Sequence, residues 1–124
     1  MFKKIYLVAE IGCNHMGDIG LAKKLIDEAK FCGADYVKFQ KRDNKILFTK
    51  KEYSAKHPIP ANAFGSTYGK HREFLEFNLS QHKALISYCK KKKLNTLVLY
   101  GTLIQHKLFL KFQRNILKSL QQLI

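Results

Sequence analysis

The 124-residue sequence has no tryptophan, only two prolines and only three cysteines. It also lacks any apolar run of eighteen residues, so no membrane-spanning helix is expected. Cys13, Cys32 and Cys89 are odd in number and lack metal-site spacing. That argues against a disulfide framework and a cysteine-ligated metal, and for reduced thiols in a cytoplasmic protein. The start, "MFKKIYLVAEIG", imitates a signal peptide, with two lysines before a short apolar stretch. Glu10 interrupts that stretch, so it reads as a first strand instead.

Acidic residues are scarce and unevenly placed. All nine lie at or before Glu76, alongside 14 of the 23 lysines and arginines. Residues 77–124 carry Lys83, Lys90, Lys91, Lys92, Lys93, Lys107, Lys111, Arg114 and Lys118 with no acid. A net charge of +14 admits a basic tail that grips nucleic acid or another anionic partner. The plainer alternative is that the tail is not an evolved protein sequence.

What is present has a clear order. "KIYLVAEIG" has the β-branched and aromatic content of a strand closed by Gly12. From Ile19 to Phe31, Leu21, Leu25, Ile26 and Ala29 recur at helical spacing. Asp18 is the expected N-cap and Gly33 the expected stop. "ADYVKFQ" then reads as a second strand, completing a βαβ unit and a parallel sheet. Residues 41–70 hold both prolines, Pro58 and Pro60, with no long periodic segment, and read as a long functional loop. Ser80 is the expected cap of a second long helix, "QHKALISYCKKKK".

In parallel α/β folds chemistry gathers at the C-terminal ends of the strands. Glu10, Asn14 and His15 fall at the end of the first strand, Lys38 and Gln40 at the end of the second. A lysine there suits a phosphate or carboxylate, and an acid suits sugar hydroxyls or proton transfer. Two plainer readings stand beside this one. Glu10 and Lys38 form a cross-strand salt bridge, and His15 is a turn residue. His57, His71, His82 and His106 are scattered and read as surface histidines, so no metal-ligand set is expected in this chain.

"AEIGCNHMGD", "GADYVKFQ" and "IPANAFGSTYGKHREFLEF" together resemble the N-terminal part of the sialic acid synthase family, over residues 4 to about 95. The family includes N-acetylneuraminate, legionaminate and pseudaminate synthases. The resemblance implies an α/β fold, the first two to three βα units of a (β/α)8 TIM barrel, incomplete here. It implies condensation of phosphoenolpyruvate with an N-acylmannosamine-type sugar in surface carbohydrate biosynthesis. A divalent metal, Mn or Mg, is implied with ligands outside this chain, and full-length relatives are homodimers. By the same resemblance Glu10 holds the amino sugar and Lys38 contacts phosphoenolpyruvate, the two catalytic candidates. Gln40 stands beside Lys38, Asn62 on the long loop binds substrate, and Asn14 and His15 shape the rim. Met16 occupies a position where the family often has Asn or Glu.

The resemblance breaks after "LNT". Residues 1–95 are expected to be the barrel part, and 96–124 an atypical basic tail. Read one nucleotide upstream, the codons of Leu99 to Thr102 permit Trp-Asp, and those of Asn115 to Gln122 permit Tyr-Phe-Lys-Ile-Ala-Ser-Ala. Both suit the family, so a frameshift near Thr96 is expected, with a truncated, inactive product. The competing expectation is a small basic binding protein that uses the tail; a nucleic-acid role is the less favoured.

Overall fold

A computed structural model describes residues 5–101. Three parallel strands, β1 (Val8–Gly12), β2 (Tyr36–Lys41) and β3 (Asn95–Tyr100), form one sheet in the order β1-β2-β3. Helix α1 (Ile19–Phe31) connects β1 to β2, and α5 (Leu79–Lys91) leads into β3. Between β2 and α5 lie α2 (Asn44–Leu47), α3 (Lys50–Ser54), a 3-10 turn (Pro60–Asn62) and α4 (Tyr68–Phe74). Sequential parallel strands with their helices on one face make an open α/β sheet, built from βα units.

Local chemistry sets the element ends. The Asp18 side chain accepts the Leu21 N–H at 2.8 Å and caps α1, as expected. The α1 helix closes through Cys32 into Gly33, whose φ of +81° favours glycine. Helix α5 corrects the expected cap. Asn78, not Ser80, accepts the Gln81 N–H at 2.9 Å, and the Gln81 side chain returns a bond to the Asn78 N–H. Ser80 Oγ donates to the Asn78 side-chain oxygen Oδ1 instead. This reciprocal box satisfies two helix-end donors at once. Thr49 and Glu52 make the same box on α3, inside the segment that reads as irregular.

The core lies between the sheet and α1 and α5. Ile11, Val37 and Phe39 from the strands meet Ala22, Ile26, Ala29, Leu85 and Cys89 from the helices. The other sheet face is uncovered among the described residues, with Val8, Leu97 and Leu99 exposed. Parallel strands ordinarily bury both faces. Glu10, Lys38 and Gln40 alternate onto this open face.

The three thiols are free, with Cys32 exposed and Cys89 buried. No helix among the described residues is long and apolar enough to cross a membrane. Residues 102–124, most of the tail expected at 96–124 and including His106, lie outside the described residues.

Candidate active site

The site begins with strand register. Glu10 on β1 is the direct partner of Lys38 on β2, and their side chains form an ion pair. Both are about a third to a half exposed, so the pair remains open to solvent. Immediately after Glu10 the register slips, with Gly12 rather than Ile11 opposite Phe39. Gly12 has a φ of +55°, which L side chains resist. A Cβ there would stand 3.5 Å from Glu10 Oε1 and 4.0 Å from Gln40 Nε2. The Glu10 carboxylate and the Gln40 amide thus both approach the space that a side chain at Gly12 would fill.

Gln40 carries the site onto the rim. Its Oε1 accepts from the Arg42 guanidinium and from Cys13 Sγ, the latter at 4.0 Å. The Arg42 backbone N–H donates to Glu76 Oε2 at 2.9 Å, and Lys41 Nζ pairs with the same oxygen at 3.5 Å. Burial pushes the Glu76 carboxyl up from its ordinary value, against the pull of the Arg42 N–H and the Lys41 and Arg42 charges. Burial likewise pushes the Cys13 thiol up, although the Arg42 charge opposes it. That burial works against thiolate formation at Cys13.

The remaining candidates separate. Asn14 is exposed in the turn after β1, where its N–H donates to the Ile11 carbonyl at 3.0 Å. Asn62 is exposed on the 3-10 turn of the long segment. His15 occupies the expected turn, but its ring points inward, 2% exposed and stacked on Phe77 at 3.9 Å. Its Nδ1 accepts the Gly17 N–H, and burial pulls its basicity below the usual value. The ring supports the rim from beneath.

The histidines read as surface residues need correction. His82 is 2% exposed and meets Phe39 and Phe77 edge-on. Burial pulls its pKa down to about 4. His71 is also buried, stacked with Phe64, with its Nδ1 accepting the Phe64 N–H. In both cases a neutral imidazole serves as an aromatic packing group. Sequence spacing missed Arg42 and Glu76 as rim residues. The signal available was that Glu76 is the last acid before a long acid-free stretch.

Among the described residues no group of three or more His, Cys, Asp or Glu could hold a metal ion. The Glu10 carboxylate is taken by Lys38, and the His15 and His82 rings are packed among aromatics. The described residues do not fit the divalent metal implied by resemblance.

The NeuB family model matches residues 25–99. The chain belongs to the NeuB family. Mouse N-acetylneuraminate-9-phosphate synthase is 44% identical over 90 residues, covering 69% of this chain and 24% of that protein. The N,N'-diacetyllegionaminic acid synthase of Campylobacter jejuni is 40% identical over 89 residues, covering 72% and 27%. The chain thus spans about a quarter of the length of the curated relatives it matches. Among solved structures, the N-acetylneuraminic acid synthetase of Leptospira borgpetersenii superposes with a TM-score of 0.63. That match covers 82% of this chain and 30% of the other at 22% identity, and speaks for the fold. This NeuB chain shares its parallel α/β start with a sialic acid synthase.

Proposed function

We propose that this NeuB chain carries the first substrate-binding face of a synthase that condenses phosphoenolpyruvate with an N-acylmannosamine-type sugar. The observation that carries the reading is the Glu10–Lys38 pair, side by side on the open face of the first two strands. A lysine at that place offers a point charge to a phosphate or carboxylate. Glu10 offers acceptor oxygens to sugar hydroxyls or the amide N–H. When substrates arrive, Lys38 exchanges Glu10 for the anionic donor and Glu10 turns to the sugar. Gln40 and Asn62 add polar contacts, and Asn14 and His15 shape the rim.

The bond changes are simple. The methylene carbon of phosphoenolpyruvate attacks the aldehyde carbon of the open-chain sugar, forming the new C–C bond. Water adds at the former enol carbon and becomes its keto oxygen, one water proton ends on the former aldehyde oxygen, and inorganic phosphate departs with the C–O bond electrons and the other proton. This chain's residues would bind and orient the two substrates, which supplies much of the rate in such reactions.

The same reading includes nonulosonic acid biosynthesis for surface carbohydrate, a cytoplasmic setting and a homodimeric enzyme. A polypeptide of these 124 residues alone would present three strands of the barrel among its described residues and would not catalyse the condensation. Residues 96–124 are read as a departure from the family frame, which sequencing the gene through codon 96 would test. Family membership leaves the small basic binding protein without support.

The test is a titration of the chain with phosphoenolpyruvate followed by ³¹P NMR. Saturable broadening that Lys38→Met abolishes would support the reading. Broadening unaffected by Lys38→Met would overturn it.

A further inference from the structure

A glutamine amide is nearly symmetric in shape but not in chemistry. One end accepts hydrogen bonds and the other donates them. Whichever end faces a site decides which substrate atoms it can take. Gln40 sits beside Lys38 on β2, so its orientation bears on recognition.

Three observations fix that orientation. Gln40 Oε1 accepts from the Arg42 guanidinium and from Cys13 Sγ. Nε2 lies on the Gly12 side, 4.0 Å from where a Cβ on Gly12 would be, with Glu10 Oε1 at 3.5 Å from the same point. Arg42 itself is held at its backbone N–H by the Glu76 carboxylate at 2.9 Å, a contact across 34 positions of sequence. The Glu76 side chain is 8% exposed, and its Oε1 is buried without a hydrogen-bond partner among the described residues. A buried carboxylate committed to one backbone N–H and one lysine is costly unless it fixes something.

We infer that Arg42 and Glu76 are positioning residues that lock Gln40 as a hydrogen-bond donor, its Nε2 turned toward the Glu10 side and away from Arg42. This rests on the reading of Glu10, Lys38 and Gln40 as the substrate face. It adds that Gln40 takes an acceptor atom of the substrate, such as a carbonyl, carboxylate or phosphate oxygen. Glu76 holds the β2 exit, Arg42 reaches back from that exit, and a flipped amide would turn its NH2 group onto the Arg42 guanidinium.

The test labels the glutamines of the full chain with ¹⁵N and follows the Gln40 side-chain amide, assigned through Gln40→Glu. The Gln40 NH2 signals are expected to lie away from the shifts of a free glutamine amide and to exchange slowly with water. In Arg42→Leu they should move to the free-amide shifts and exchange fast, and Arg42→Lys should restore part of the displacement. Glu76→Gln keeps the size of the side chain and its acceptor oxygen, and should shift the Gln40 signals less than Arg42→Leu does. Retained backbone dispersion separates these effects from unfolding. Gln40 signals in Arg42→Leu that match those of the parent chain would overturn the inference. Addition of phosphoenolpyruvate to the parent chain tests the substrate face separately. If neither Lys38 nor Gln40 responds, the substrate reading fails, while the Arg42→Leu comparison still decides the positioning.

Discussion

Glu10 and Lys38 stand directly opposite each other on adjacent parallel strands and close an ion pair that solvent still reaches. An exposed pair of this kind contributes about 0–1 kcal/mol to stability. Lys38→Met should therefore move the urea midpoint little. It should lower the affinity for phosphoenolpyruvate at least tenfold, a change of about 1.4 kcal/mol. Urea unfolding and a binding titration on the same preparation separate the two. A large loss of stability with binding intact would make the pair structural.

His82 gives the chain a pH dependence with a definite sign. Its folded pKa is pulled down to about 4 by burial, below the ordinary histidine value of 6.5. Between those values the unfolded chain binds the proton more readily, so stability rises with pH. The contribution is fully present above 6.5 and is lost as pH falls toward 4, up to about 3 kcal/mol. His15 shifts in the same direction for the same reason. His82→Phe should flatten the profile of urea midpoint against pH between 4 and 6.5. An unchanged slope in that variant would show that His82 is not the buried base.

The cap of α5 offers a comparison between two neighbours. Asn78→Ala removes the acceptor for the Gln81 N–H and half of the capping box. It should cost about 1 kcal/mol. Ser80→Ala removes only a bond to the Asn78 side chain and should cost a fraction of that. Thermal unfolding of the two variants reads the order, and a larger loss at Ser80 would reverse the assignment.

Met16 adopts a φ of +49° while half exposed, a conformation that suits asparagine better than methionine. Met16→Asn should stabilise the chain by about 1 kcal/mol by relieving that backbone cost. Chemical denaturation checks it. A destabilised variant would mean that the Met16 side chain packs against something of value.

These cases mark where the sequence is readable. Period carried β1, α1 and β2, because Leu25, Ile26 and Ala29 recur at helical spacing and the Asp18 cap and Gly33 stop have direct chemical signatures. The same logic placed Glu10 and Lys38 together, since strand alternation and parallel register bring them to one face. It failed where tertiary packing decides. His71 and His82 carry no sequence mark that separates a buried, stacked imidazole from a surface one. Glu76 joins Arg42 across 34 positions, a link that no local spacing encodes. The Thr49–Glu52 box lies in a segment without apolar periodicity, and the Asn78–Gln81 box starts its helix two residues before the Ser80 cap that the sequence suggested.

The most direct measurement of the central claim replaces the matching N-terminal segment of mouse N-acetylneuraminate-9-phosphate synthase with residues 5–95 of this chain. Phosphate release from phosphoenolpyruvate is then followed with N-acetylmannosamine, free or 6-phosphorylated. The account expects sugar-dependent release that Lys38→Met lowers by about a hundredfold, the loss of a few kcal/mol of transition-state stabilisation. A folded chimera that releases no phosphate, or one whose rate survives Lys38→Met, would contradict it.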